Sequence, residues 1–248
     1  MTSLSKHNLP HNKYDKNMTI TTTVKGISSM ATRQLLVELV ADYQKLSDTD
    51  IQIESIGGVN AAKRVQAGEA FDVVFLSSEA IDQLIDSGHI DPISKVNLVN
   101  SGVAVAVKAG AVAPDISSEA ALKTAVLAAK TISYSTGPSG VALAKLFERW
   151  GIAEQIANRI VQAPSGVPVG SLIAKGEVEL GFQQLSELIH LDGISIVGPL
   201  PTEIQITTTF SAGVCTVSTQ AVAVKDMLAY MASPAAAAAK LRQGMEVI

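Results

Sequence analysis

Cysteine is nearly missing: Cys215 is the single one in 248 residues, which excludes an internal disulfide and any metal cluster built on thiolates. It lies in the apolar run Phe210-Ser211-Ala212-Gly213-Val214-Cys215-Thr216-Val217, the setting of an inert strand residue. Aromatic residues make up only 4%, too few for the stacking platforms that hold unpaired bases. Basic charge is short as well, with 19 Lys and Arg against 23 Asp and Glu. Nucleic acid is therefore not an expected partner, since binding it normally takes a basic face that displaces counterions. No apolar run approaches the ~18–20 residues needed to span a bilayer.

Several motifs are absent too. The chain has no G-x-x-x-x-G-K-[ST], no G-x-G-x-x-G after the first strand, no H-E-x-x-H and no G-x-S-x-G. Its four histidines are His7, His11, His89 and His190, none in a strand-end loop where a Ser-His-Asp triad needs one. No metal and no cofactor is expected. Residues 1–17 are polar, carry Lys6, Lys13 and Lys16, and have no apolar stretch after those charges, so they do not read as a secretory signal. They are expected to be a poorly ordered tail outside the fold. Met18 is either a start or the scar of a removed leader; a true start at Met1 or Met18 would make the protein cytoplasmic.

Apolar residues reach 47%, ample for a buried core. The chain alternates strand and helix signals almost without interruption, which predicts an α/β fold with parallel strands joined by crossover helices. Strands are expected over 19–26, 51–56, 71–76, 98–107, 131–135, 159–162, 179–182, 194–197 and 204–217. Helices are expected over 31–46, 59–67, 79–87, 119–129, 141–150, 169–175, briefly through Glu187, and over 221–231 and 234–243. The two long strands near 98–107 and 204–217 look like crossings between lobes. Residues 18–100 plus 207–248 are expected to form one lobe, and 101–206 the other.

In open α/β sheets, ligands bind beyond the carboxyl ends of the strands, where helix N-termini present unpaired N–H groups to anions. Three loops qualify. Ser28-Ser29-Met30 offers two hydroxyls ahead of a helix; Gly57-Gly58-Val59-Asn60 offers close backbone approach; Thr136-Gly137-Pro138-Ser139-Gly140 repeats the first arrangement. A serine ahead of a helix is also an ordinary N-cap, and both roles stay open. Arg64 is a candidate clamp for a carboxylate through its two-pronged guanidinium, although Lys63 and Arg64 also suit a solvated helix face. Gln183 and Gln184 can present amide N–H groups.

Three segments carry a resemblance: Ile27-Ser28-Ser29-Met30, the run from Arg64 to Val74 (R-V-Q-A-G-E-A-F-D-V-V), and Lys175-Gly176-Glu177-Val178-Glu179-Leu180-Gly181. From about Thr19 to the C-terminus the chain resembles the periplasmic molybdate-binding protein family. That resemblance implies a two-lobed type II periplasmic-binding fold with a ligand cleft between lobes, a monomer, and an anionic ligand. It also implies a periplasmic location and, if the protein is exported, membrane subunits of an ABC importer as partners. The family's first-loop serine maps onto Ser29, with Ser28 adjacent, and its fourth-strand backbone contact onto Ser139 and Gly140. Its second hydroxyl falls at Gly58 and Asn60, and its tyrosine near Gln183, so two molybdate contacts are replaced and an organic acid suits the site as well. The branch marked by Pro114-Asp115-Ile116-Ser117 and Gln183-Gln184-Leu185-Ser186-Glu187-Leu188 also resembles aconitate isomerase, a cofactor-free enzyme on the same fold. That alternative needs a base near the substrate methylene, for which Lys63 and Tyr134 are the candidates.

Overall fold

The computed structural model describes residues 22–248; the expected tail over 1–17 lies outside them. The strands, in chain order, are β1 (Thr23–Ser29), β2 (Asp50–Ile56), β3 (Val73–Ser77), β4 (Val96–Lys108), β5 (Ile132–Tyr134), β6 (Leu180–Gln184), β7 (Ile194–Pro199), β8 (Thr207–Val214) and β9 (Glu246–Val247). The helices are α1 (Arg33–Tyr43), α2 (Gly58–Gln66), α3 (Ser78–Asp86), α4 (Glu119–Ala128), α5 (Pro138–Arg149), α6 (Ala153–Ile156), α7 (Val169–Lys175), α8 (Leu185–Leu188), α9 (Ala221–Ala232) and α10 (Ala237–Arg242).

Strands pair in the order β2-β1-β3-β8-β4-β6-β5, with β7 and β9 also on β4. Pairs β1–β2, β1–β3 and β5–β6 are parallel, whereas every pair involving β4 or β8 is antiparallel. The sheet is thus mixed, a departure from the parallel arrangement expected from the strand–helix alternation. The cause is β4, whose 13 residues serve two sheets. Its first half, up to Gly102, runs beside β8, and its second half, from Val103, beside β6 and β7.

The apolar core divides at the same place. Two buried clusters draw only on residues up to Val99 and from Phe210 onward, including Leu35, Phe75 and Met227 in one and Ile27, Leu76 and Ile81 in the other. Two more draw only on residues between Val103 and Ile204, among them Leu122, Phe147 and Phe182. Each cluster follows from pattern. All five residues of β3 are buried, as expected for a strand covered on both faces, and Leu35, Leu36 and Leu39 supply the apolar stripe of α1. The molecule is a two-lobed α/β protein crossed by β4 and β8.

Other boundaries moved. The return strand is shorter than 204–217 because Thr202–Ile204 forms a 3-10 turn after Pro201, and Cys215 makes only an isolated bridge to Ile90. The strand expected over 159–162 reduces to one bridge, Ile160 to Ile132. Most consequential for the site, β1 extends through Ser29, so Ser28 lies inside the strand rather than in a loop.

Candidate functional site: the interlobe cavity

The carboxyl ends of β1, β2, β3, β5 and β6 converge on one cavity of about 750 Å3 between the lobes, the position open α/β sheets reserve for ligands. The first residues of α2, α3 and α5, namely Gly58, Ser78 and Pro138, all line it. Three sets of unpaired helix N–H groups therefore face one space, an arrangement that favours an anion. Hydroxyls from Ser77, Ser139, Ser165, Thr207 and Thr208 extend the polar lining.

Ser29 is the last residue of β1 and is only 8% exposed. It lines the cavity, yet its Oγ has no hydrogen-bond partner among the described residues and makes no cap bond to the turn that follows. A buried polar atom without a partner is costly unless something completes it; Ser29 holds the N-cap position of the turn, but its hydroxyl does not cap it and is available to a ligand. Gly58 sits against it: a Cβ there would lie 3.4 Å from the Cβ of Ser29. Ser139 is likewise buried on the cavity wall.

Gln183 lines the cavity but its amide is already employed. Its Oε1 accepts from the Val169 N–H at 2.7 Å, and its Nε2 donates to Glu187 Oε1 at 2.8 Å. Glu187 is half-buried on the cavity wall, and desolvation pushes its carboxyl up to about 7 against the opposing effect of the Gln183 hydrogen bond. The helix carrying it is tied across the lobe boundary. Ser186 Oγ donates to the Ala31 carbonyl at 2.9 Å. The adjacent Gln184 amide, with its nitrogen 2.9 Å from the Ser101 carbonyl and its oxygen 2.8 Å from the Thr208 hydroxyl, bridges β4 and β8.

Two lysines line the cavity from opposite lobes, Lys63 on α2 and Lys145 on α5. Neither has an ion-pair partner among the described residues. The other acidic lining residue is Glu79, exposed in the first turn of α3. At the mouth the lobes touch: a Cβ on Gly57 would come within 2.0 Å of Ser165 Oγ and 2.9 Å of the Gly166 nitrogen. The two loops approach too closely there for a side chain larger than glycine's unless one of them shifts.

Of the residues singled out in the sequence, Ser29, Gly58, Ser139 and Gln183 come together here, and the others do not. Ser28 is fully buried within β1 and its hydroxyl pairs with Ser55 Oγ at 2.7 Å. Asn60 is exposed and outside the lining. Gly140 is buried behind the wall, where a Cβ would overlap the Ser135 carbonyl oxygen at 1.8 Å, so it serves loop packing. Arg64 turns away from the cavity: it pairs with Glu54 at 2.7 Å and Glu69 at 2.7 Å and lies over the Phe71 ring. Tyr134 packs edge-on against Phe147 at 6.1 Å and is not part of the lining. Burial pushes the Cys215 thiol up to about 12, which fits an inert residue.

Sequence reasoning missed Lys145 and Glu187, and weighed Lys63 only as a base or a surface charge. The lysines were findable. Ser139, Ala142 and Lys145 recur at three-residue spacing on one face of α5, and on α2 Lys63 lies four residues after Val59 and three before Gln66. Glu187 carries no such local signal.

Comparison with known proteins agrees with this geometry. The description "Bacterial extracellular solute-binding protein" matches residues 24–246. An aconitate isomerase of Pseudomonas sp. is 35% identical over 233 residues, covering 92% of this chain and 88% of that protein. The periplasmic molybdate-binding protein of Azotobacter vinelandii superposes with a TM-score of 0.76 at 20% identity, covering 91% of this chain and 99% of that one. The sulfate-binding protein SubI of Mycobacterium tuberculosis superposes with a TM-score of 0.72 at 14% identity, covering 90% and 86%. These structures share the type II periplasmic-binding fold with the two lobes and cleft described above, and the chain belongs to the bacterial extracellular solute-binding protein family.

Proposed function

We propose that this solute-binding protein closes on a small organic polycarboxylate. The observation that carries the reading is the pair Lys63 and Lys145, one from each lobe, lining one cavity with no ion-pair partner among the described residues. Separated cations suit a ligand with separated charges. A compact tetrahedral oxyanion would draw on one cluster of donors and would leave most of a 750 Å3 space unfilled, whereas cavities of this size ordinarily take organic ligands. Ser29, Ser139 and the N-termini of α2, α3 and α5 supply the neutral donors. The two lobes proposed are residues 18–100 plus 207–248 and residues 101–206, which hinge at β4 and β8 as ligand enters. A periplasmic location and delivery to an ABC importer go with this reading through the family.

Thermal melting tests it. At a ligand concentration a hundred times Kd, binding adds about 2.7 kcal/mol, which raises Tm by roughly 5–10 °C for a chain of this size. Tricarboxylates such as cis- and trans-aconitate are expected to give that rise, and molybdate and sulfate none. The opposite pattern would return the cavity to inorganic oxyanions.

A second reading is favoured by one observation, the 35% identity across 92% of the chain with a protein named aconitate isomerase. Here closure serves catalysis: the bound acid is shielded from water while a proton is moved and the double bond shifts.

A further inference from the structure

We propose that Glu187 is the catalytic residue that carries this proton, acting as base in one half of the reaction and as acid in the other; the inference rests on the isomerase reading. The geometry supports it from three directions. Glu187 lines the same cavity as the orphaned hydroxyl of Ser29, and the Ser186 hydroxyl next to it bonds to the Ala31 carbonyl at 2.9 Å and pins α8 against the turn that follows Ser29. The carboxyl is aimed. Gln183 donates to it at 2.8 Å while Val169 holds the far end of the same amide at 2.7 Å, which leaves the second carboxyl oxygen for substrate. It is also half-buried, whereas Lys63, Glu79 and Lys145, the other charged groups on the cavity wall, are exposed. Desolvation brings the carboxyl to about 7, where either protonation state is accessible near neutral pH.

The substrate class is an α,β-unsaturated acid that bears a carboxymethyl group on the double bond. Ionised Glu187 removes a proton from the allylic methylene; that C–H pair forms a new C=C bond, and the former π pair moves onto the adjoining carboxylate as a dienolate. Lysine ammonium groups, Ser29 and helix N–H groups stabilise this charge. Protonated Glu187 then returns its proton to the far carbon of the original double bond. One C–H bond is broken and one is made, one C=C bond is exchanged for another, and no electron or co-reactant is consumed.

The test uses the whole protein with cis- and trans-aconitate. Calorimetry reads binding, and proton NMR in heavy water reads isomer conversion and deuterium entry at the methylene. Glu187→Gln keeps an acceptor for Gln183 but cannot take up a proton, so conversion and deuterium entry are expected to fall by about 10²–10⁴-fold while affinity stays within a few-fold. A variant that binds and still converts at the parent's rate would overturn the role of Glu187 and leave the isomerase reading intact. A parent protein that binds aconitate but neither converts nor deuterates it would overturn the isomerase reading itself. Should Glu187→Gln not fold, Glu187→Asp replaces it: the carboxyl withdraws by one methylene, and roughly tenfold slower conversion with binding retained is expected. Parental conversion by that variant would equally reject the assignment.

Discussion

Ser186, on α8 of one lobe, donates its hydroxyl hydrogen to the carbonyl of Ala31 in the other lobe at 2.9 Å, across 155 positions of sequence. The bond is buried and joins the two lobes next to Glu187 and Ala31, which line the cavity. Ser186→Ala should lower stability by roughly 1 kcal/mol, the usual net worth of such a bond. It should also weaken ligand binding, since α8 is freed from the Ser29 turn. Urea denaturation and calorimetry read the two effects; unchanged affinity would show that the bond serves only the fold.

Ser29 makes the reverse prediction. Its Oγ has no partner among the described residues, so Ser29→Ala removes an unsatisfied buried hydroxyl and should leave stability unchanged or slightly higher. Ligand affinity should drop by about 1–3 kcal/mol. A variant that binds normally and melts lower would mean that the hydroxyl supports the turn after all.

Gly57 closes the mouth against Ser165 and Gly166. An added methyl group props the lips apart, so Gly57→Ala shifts the population toward an open form and lowers affinity by roughly tenfold or more. Small-angle scattering in saturating ligand should report a larger radius of gyration than for the parent. Equal radii would show that the loops give way.

Lys63 and Arg64 are neighbours with different tasks. Lys63→Gln and Lys145→Gln should each weaken polycarboxylate binding by roughly tenfold, less at high salt, because exposed charges are screened. Arg64→Lys should leave binding untouched and alter Tm little, since its partners Glu54 and Glu69 are themselves exposed. Titration at two ionic strengths separates these outcomes.

The lesson from these neighbours is geometric. Strand–loop–helix order was legible from periodicity, and it located Ser29, Gly58, Ser139 and Gln183 at the cavity. Adjacent residues were not resolved. Ser28 and Ser29 point to opposite faces of β1 because side chains alternate along a strand, and knowing which one faces ligand required knowing that β1 extends through Ser29. Lys63 and Arg64 lie about 100° apart around a helix, and the buried pair Ala61 and Val65 sets which one faces the cleft. Glu187 was illegible for another reason: it sits on a four-residue helix, which has no periodic signature to show which face is buried.

Glu187 also sets a pH dependence of stability. Its carboxyl is raised from 4.5 to about 7 in the folded protein, so between those values the folded state holds more of a proton than the unfolded state. Stability therefore falls as pH rises through that window, and the whole loss is in place above pH 7. A shift of this size corresponds to about 3 kcal/mol. The measurement is a difference, which cancels the contribution of every other group: Tm of the parent minus Tm of Glu187→Gln, followed from pH 5 to pH 8. That difference should grow more negative with rising pH and then level off. A flat difference would mean that Glu187 is solvated in the free protein, and that a bound ligand would have to supply the desolvation its chemistry needs.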